Sequence, residues 1–148
     1  MMSFKATFIF FLAFISLILA CNTGNNPEED LRTRSSKAYE HVTSGDWKQV
    51  HQFFSPSFQE YCPIAVYENK NVKGMAKLNE MLGIPEGEQL TFTVKDVSAN
   101  GTEGQVYIDI HYRDKLLDLG QGETPRHWLL ENDEWWSSPK DWANECPK

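Results

Sequence analysis

The chain has 148 residues, of which 41% are hydrophobic and 24% charged, a balance that excludes an intrinsically disordered protein and fits one globular domain with a targeting segment. Its formal net charge is −7, and it has no cluster of lysine and arginine, which excludes the basic surface that nucleic-acid binding requires. The acidic balance also predicts repulsion from anionic lipid headgroups, so any membrane attachment should be covalent.

Residues 1–20 have the features of a signal peptide. Lys5 supplies the positive charge that precedes the apolar region of a signal peptide. The apolar stretch from Phe8 to Leu19 is too short to cross a bilayer, which takes about 20 apolar residues. The segment ends in Ile-Leu-Ala-Cys and resembles the lipobox of bacterial lipoproteins, whose cysteine receives fatty acyl chains such as palmitate. The resemblance implies a cell-envelope protein lipid-anchored through Cys21, with its domain outside the cytoplasm. The alternatives are an ordinary secretory signal and an uncleaved anchor.

A polar stretch follows the cysteine. Asn22 to Asp30 contain no apolar side chain, a composition typical of flexible spacers. We therefore predict a flexible tether over residues 21–30 and a single domain over residues 31–148.

Two cysteines remain once Cys21 carries lipid, and they can form only one bridge. Cys62 and Cys146 are each followed by proline, so both should lie where regular structure ends. In an oxidising compartment we predict a disulfide between them, which would stabilise the fold by roughly 4 kcal/mol in the loop-entropy model. The alternative is two unpaired thiols, one of them buried.

The first half of the domain has the periodicity of amphipathic helices. Apolar residues recur at helical spacing from Leu31 and stop at Gly45, and Asp46 has the position of an N-cap for a second helix. Pro56 can begin another helical turn, because proline is favoured at the first helical position. A further helix fits residues 72–82.

After Gly83 the period of the apolar residues changes from 3.6 to 2, which indicates strands. Asn100-Gly101 is a strong turn signal between the first two. In chain order the predicted strands cover residues 90–94, 105–113, 126–131 and 134–137, with a tight turn at Asn132-Asp133 joining the last two. Residues 116–123, which include two glycines, predict a loop or a widened hairpin. Helices followed by an antiparallel sheet indicate the α+β class.

Three stretches form a common pattern: a helix that passes through Gly45-Asp46 to Trp47, the strand at residues 105–110, and the closing hairpin from Trp128 to Trp136. In this order they resemble the NTF2-like family, as in small bacterial lipoproteins of the SnoaL or DUF4878 type. The resemblance covers about residues 31–137. It implies a cone in which N-terminal helices pack on a curved antiparallel sheet, with a hollow that in some members binds or transforms a small molecule. It assigns no activity, because the fold hosts unrelated functions.

The strongest candidates for catalysis are Tyr107, Asp109 and His111. They share one face of a predicted strand, where a carboxylate could orient an imidazole as a general base, and catalytic members of the family use inward-pointing Asp or His in this way. The alternate residues of the strand are Val, Ile, Ile and Tyr, which make the better core face. We therefore expect the polar set to face solvent and predict no catalytic residue.

Metal and cofactor sites have no support in the sequence. None of the four histidines, His41, His51, His111 and His127, has metal-ligand spacing to another His or Cys, so we expect neither a metal nor a cofactor. No Ser-His-Asp order and no phosphate-binding loop is present. We expect His41 and His51 to be half-exposed surface or capping residues.

The aromatic residues can fill the core or line a pocket, and core filling is the commoner role in a small cone. Candidates for pocket lining are Trp47, Phe54, Phe58, Phe92, Tyr112, Trp128 and Trp135. Trp136 and Trp142 stand apart, since they lie on the less apolar strand face or near the C-terminal end. They could mark a contact surface, or the C-terminal residues could pack back onto the domain near Cys146.

These observations favour a membrane-tethered envelope lipoprotein whose non-catalytic domain binds a small apolar ligand or an envelope protein partner. One alternative is a small-molecule enzyme of the isomerase or dehydratase kind, which would need an ionisable group with a shifted pKa inside the cone. Another is an interaction module that forms a homodimer through the outer face of the sheet.

Overall fold

In the computed structural model, which describes residues 26–119 and 124–146, four helices precede the sheet along the chain. The helices are α1 (Pro27–Ser44), α2 (Trp47–His51), α3 (Pro56–Tyr61), α4 (Ile64–Leu82) and a short C-terminal α5 (Trp142–Glu145). The strands are β1 (Thr91–Asn100), β2 (Glu103–Tyr112), β3 (Lys115–Leu117), β4 (Arg126–Glu131) and β5 (Glu134–Ser137). The predicted signal peptide and Cys21 lie outside the described residues.

Helix α1 begins earlier than the predicted domain boundary at residue 31. The Asn26 side chain accepts a hydrogen bond from the backbone N–H of Glu28, and Pro27 occupies the first turn. Three acidic residues in that turn complement the positive end of the helix dipole. Capping and charge therefore stabilise a helix in residues that have no apolar pattern. The last four residues of the predicted tether, 27–30, belong to this helix.

Helix α4 is longer than predicted, because it begins directly after Pro63 rather than at residue 72. Buried apolar residues do not recur at helical spacing in its first two turns, because Tyr67 is the only buried residue of the helix. The predicted end is confirmed: Gly83 adopts a φ of 65°, a left-handed conformation that favours glycine. No helix within residues 26–119 and 124–146 is long and apolar enough to cross a membrane.

The sheet is antiparallel, with the strand order β1-β2-β4-β5 and β3 paired with the C-terminal end of β2. The turn at Asn100-Gly101 is confirmed, and Gly101 has a φ of 62°. Strand β1 extends to Asn100 past a bulge between Val94 and Asp96, which interrupts the alternation that the sequence shows. Of the segment predicted as a loop or widened hairpin, residues 116 and 117 belong to β3.

The closing hairpin has the predicted tight turn at Asn132-Asp133. Leu130 pairs with Trp135 and Leu129 with Trp136, around a two-residue turn in which both residues have positive φ. Such a turn matches the twist of the strands it joins.

Between α1 and the sheet lies the first core cluster, and we call the sheet face that carries it the inner face. The alternation of β2 is confirmed there, because Val106, Ile108 and Ile110 are all buried. Trp128 and Trp135 from the closing hairpin pack beside them. Gly104 permits α1 to approach the sheet closely, since a Cβ atom at this position would lie 2.7 Å from a methyl carbon of Leu31.

A second cluster joins α2, α3 and α4 to the C-terminal tail, which we define as residues 138–146. The predicted disulfide is present: Cys62 and Cys146 are bonded and buried, with their Cα atoms 5.6 Å apart. The ring of Trp142 meets that of Phe58 edge-on, with the centroids 5.4 Å apart. The tail therefore packs back onto the domain at Trp142, while Trp136 lies under the guanidinium of Arg34.

Candidate functional site

A cavity of about 540 Å³ opens between the helices and the inner face of the sheet. Helices α1, α2 and α4 contribute one side of it, β1, β2 and β4 the other, and the tail closes part of the rim. Its apolar wall consists mainly of rings and branched side chains: Trp47, Phe53, Phe54, Phe92, Ile108 and Trp128. These side chains point inward because of the helical stripe of α2 and the two-residue period of the strands.

Polar side chains converge on the same cavity from four elements. They include Tyr39 of α1, Tyr67 of α4, Arg126 of β4, and Lys140, Asp141 and Glu145 at the tail. Smaller polar side chains border the cavity as well: Asn71, Thr124, His127, Ser137, Ser138 and Asn144. The cavity therefore combines an apolar wall with polar groups at its rim, as small-molecule sites do.

The two phenols are held in their neutral form. Burial raises the pKa of Tyr39 to about 12, although the nearby Arg126 charge lowers it, and the Glu145 carboxylate adds to the rise. Burial also raises the pKa of Tyr67, with Glu145 and Tyr39 acting in the same direction. Both hydroxyls consequently keep their protons at neutral pH and act as hydrogen-bond donors.

The carboxylates at the cavity rim already have partners. The Glu145 carboxylate forms an ion pair with the ammonium of Lys70, with 3.1 Å between oxygen and nitrogen. The same ammonium donates a hydrogen bond to the carbonyl oxygen of Asn144 at 2.7 Å. Asp141 caps α5 by accepting a hydrogen bond from the backbone N–H of Asn144 at 3.0 Å. Glu145 is therefore paired with a cation, whereas Asp141 is held by a backbone N–H of its own helix.

The tail is fixed at both ends, which sets the shape of the cavity. At its start, the N–H of Ser137 donates to the carbonyl of Phe53 at 2.8 Å and the N–H of Ser138 to that of His127 at 2.9 Å. At its end, the disulfide joins Cys146 to Cys62, directly after α3. The rim groups of the tail are thus covalently tied to the helical half.

Four of the seven aromatic residues predicted as pocket lining border the cavity: Trp47, Phe54, Phe92 and Trp128. The other three do not. Phe58 is fully buried and stacks on Phe54, with the centroids 4.6 Å apart. Trp135 packs in the first core cluster, and the hydroxyl of Tyr112 donates to Glu88 at 2.7 Å. Periodicity indicates which side chains turn inward, but it does not distinguish a core position from a cavity wall.

The candidate catalytic residues lie on the sheet face opposite the cavity. Tyr107, Asp109 and His111 alternate with the inward residues of β2, and none of the three borders the cavity. The hydroxyl of Tyr107 donates to Gln105 at 3.3 Å, and Asp109 lies 3.9 Å from the ammonium of Lys95. They are therefore separated from the cavity by the sheet itself.

The histidines occupy different environments. His51 is buried rather than half-exposed, and its Nε2 lies 2.7 Å from the carbonyl oxygen of Cys62. The short helix α2 ends against the chain after α3, which is why the expectation for His51 is wrong. His41 is partly exposed, and its ring lies 6.0 Å from that of Phe53, while His127 borders the cavity. Among the described residues, no three His, Cys, Asp or Glu side chains form a group that could hold a metal.

Sequence analysis did not identify the polar groups of the cavity. Tyr39, Tyr67, Arg126 and Glu145 belong to four separate elements, and none forms a motif with another. The one available signal was the position of Tyr39 on the apolar stripe of α1.

No family model and no curated protein matches this sequence. Among solved structures, a Campylobacter jejuni protein described as a "putative NTF2-like transpeptidase" is similar over 78% of this chain and 100% of its own length, with 15% sequence identity and a TM-score of 0.51. At this identity the likeness shows the fold alone. With N-terminal helices packed on a five-stranded antiparallel sheet, the chain has the α+β cone fold of NTF2-like proteins.

Proposed function

We propose that this domain binds a small molecule with a largely apolar body in the cavity between the helices and the sheet. One observation carries the proposal: a ring-lined space of about 540 Å³, within the roughly 300–1,000 Å³ typical of ligand pockets. A space of this size supports a role for the cavity beyond packing.

Binding is better supported than catalysis. A general base works best with a pKa near the operating pH, whereas the phenols of Tyr39 and Tyr67 have raised pKa values and stay protonated. The Asp109 and His111 pair, on which the isomerase or dehydratase alternative depends, lies beyond the sheet. The cavity groups are therefore suited to holding a ligand by hydrogen bonds.

Filling the cavity tests the proposal. The neutral fluorescent probe N-phenyl-1-naphthylamine is titrated into residues 21–148 carrying Cys21→Ser, and energy transfer from Trp47 and Trp128 reports its arrival. Val42 borders the cavity, so Val42→Phe should weaken binding by roughly tenfold. Val66 is exposed on α4 and does not border it, so Val66→Phe should bind as wild type. Non-saturable binding, or equal binding by both variants, would contradict the proposal.

We further propose that the domain is anchored to a bacterial membrane through acylated Cys21. The apolar segment that ends in Ala20-Cys21 supports this, as does a disulfide, which is stable only outside a reducing cytoplasm. Because α1 begins at Pro27, the chain from Cys21 to the domain spans at most about 20 Å. Such an anchor would keep the domain close to the bilayer surface.

Removing the thiol tests the anchor. In a bacterial host, wild type should enter the membrane fraction with an intact mass that includes fatty acyl chains and excludes residues 1–20. Cys21→Ala should lose the acyl mass, whereas the neighbouring Asn22→Ala should retain it. A processed wild-type protein without acyl mass would rule out the anchor and leave the cavity proposal intact.

A further inference from the structure

We infer that the cavity of about 540 Å³, here the main cavity, continues past Met75 into a second compartment, and that its ligand is an elongated molecule whose uncharged apolar end occupies this compartment. The inference rests on the proposed small-molecule function and specifies the shape of the ligand. It follows from the residues that border both spaces, from the spacing of inward residues along α4 and from the uncharged lining of the second compartment.

The second compartment is a space of about 270 Å³ between α4, the turn from α1 to α2 and the start of β1. Its wall is mainly apolar, and none of the described residues that border it is ionisable. The polar side chains there belong to Thr43, Asn79 and Gln89, and the Thr43 hydroxyl already accepts a hydrogen bond from the backbone N–H of Phe92 at 2.9 Å. Burial of an unpaired charge is costly, so the part of a ligand that enters this compartment should be uncharged.

The wall between the two spaces consists of side chains that border both of them: Val42, Trp47, Met75 and Phe92. Met75 is the one that can move aside most readily. It is only half-buried, and an unbranched thioether with three rotatable bonds adapts to the shape of its neighbours. A change of rotamer at this residue would join the two spaces.

The inward side of α4 carries two rows of residues, one for each space. The rows are Asn71, Met75 and Leu78 on the main cavity, and Val72, Ala76 and Asn79 on the second compartment. Each row follows the spacing of four and then three residues that places side chains on one side of a helix. This arrangement explains why Tyr67 is the only buried residue in a helix of 19 residues, because α4 spans two spaces rather than a filled core.

The order of contacts along α4 favours a long ligand over a compact one. Lys70 contacts the tail, which closes part of the rim of the main cavity, and Asn79 borders the second compartment nine residues later. Nine helical residues span about 14 Å at 1.5 Å per residue. A ligand of this length would place its polar groups at the rim, near Lys140 and Glu145, and its apolar end in the second compartment.

Two neutral probes of different shape test the inference. 1,6-Diphenyl-1,3,5-hexatriene is a rigid rod, whereas N-phenyl-1-naphthylamine is compact, and both fluoresce in apolar surroundings. They are titrated into residues 21–148 carrying Cys21→Ser, which contain every described helix and strand and both cysteines of the disulfide. Energy transfer from the tryptophans, of which Trp47 borders both spaces, reports binding.

A variant that fills the second compartment should separate the two probes. Ala76 borders it and is exposed on α4, so Ala76→Phe should weaken binding of the rod by roughly tenfold and leave the compact probe within about twofold of wild type. Ala65, also exposed on α4, borders neither space, so Ala65→Phe should bind both probes as wild type does. If Ala76→Phe binds the rod as tightly as wild type, or weakens both probes equally, the inference is wrong.

A second matched pair keeps the test valid if Ala76→Phe fails to fold. Val72 borders the second compartment and is 50% exposed, whereas Val66 is exposed on the same helix and borders neither space. Val72→Phe should weaken the rod and spare the compact probe, and Val66→Phe should bind both as wild type does. Wild-type affinity of Val72→Phe for the rod would then overturn the inference.

Binding by the unsubstituted cavity distinguishes the inference from the proposed function. If the compact probe binds and the rod does not, the elongated ligand is ruled out and the proposed function stands. If neither probe binds, both the inference and the proposed function fail. Saturable binding of both probes, with loss of the rod alone in Ala76→Phe, supports both.

Discussion

Gly104 shows how closely a single residue can control the packing of this domain. It lies in β2 where α1 meets the closing hairpin, and a Cβ atom there would be 2.7 Å from Leu31 and 2.9 Å from the ring of Trp135. Both neighbours are buried in the first core cluster and have little room to move. The absence of a side chain at this position is what lets helix and sheet approach.

We therefore expect Gly104→Ala to lower the free energy of unfolding by about 1–3 kcal/mol, the usual effect of overpacking. Gly74→Ala is the matched control, because a Cβ atom there meets nothing within 4 Å and alanine favours the helix. That variant should be unchanged or up to about 1 kcal/mol more stable. Urea unfolding followed by tryptophan fluorescence measures both, and similar stabilities for the two variants would contradict the packing argument.

Tyr39 links the cavity to the pH dependence of stability. Its pKa is raised from the ordinary 10.0 to about 12 chiefly by burial, so the folded state holds the phenol proton more tightly than the unfolded state does. The stability that this proton contributes is complete below pH 10 and is lost as the pH rises through 12.

The free energy of unfolding should consequently fall by roughly 2 kcal/mol more between pH 10 and pH 12 in wild type than in Tyr39→Phe. Tyr107→Phe, which alters a phenol on the other sheet face, should keep the wild-type decline. Chemical unfolding at a series of pH values compares the three proteins. A Tyr39→Phe variant with the full wild-type decline would show that another group is responsible.

At the scale of elements, the tail depends on contacts with the helical half for its position. Helix α5 has four residues and no fully buried side chain of its own, too few for stability in isolation. The disulfide to Cys62, the ring of Trp142 against Phe58 and the ion pair from Lys70 hold it in place. Of these, the disulfide acts over the longest loop, with a sequence separation of 84.

Replacing both cysteines, Cys62→Ser with Cys146→Ser, should lower the free energy of unfolding by roughly 4 kcal/mol, since the unfolded chain regains the freedom of that loop. Lys70→Met should cost less than about 1 kcal/mol, as expected for a partly exposed ion pair. Guanidinium unfolding with and without reductant measures both in a Cys21→Ser background. Reduced wild type should match the double variant, and equal stability with and without reductant would contradict the prediction.

At the scale of the whole molecule, the cavity lies where three core clusters of the described residues meet, the third of them around Ile84, Leu90 and Ile110. The first cluster joins α1 to the sheet, and the second joins the shorter helices to the tail. Tyr39 packs against the first cluster and Tyr67 belongs to the second. Neither the first nor the second cluster contains the site by itself, so the cavity depends on both halves being folded together.

Local signals in the sequence determined much of the fold. The order of helices and strands, the hairpin turns at Asn100-Gly101 and Asn132-Asp133, and the inward face of β2 all follow from periodicity and turn chemistry within a few residues. The signals failed where caps rather than apolar residues begin a helix, as at Asn26. They also failed in the first turn of α4, where exposed Ile64 and Val66 hide the helical stripe to which buried Tyr67 belongs.

Only the tertiary structure decided the candidate site. Tyr39, Tyr67, Arg126 and Glu145 are far apart along the chain, and nothing in their local patterns distinguishes them from ordinary helix and strand residues. They meet because α1, α4, β4 and the tail pack around one unfilled space, and burial there gives the phenols their raised pKa values. Periodicity specifies which face of an element turns inward, whereas the groups that share a cavity depend on how all the elements pack together.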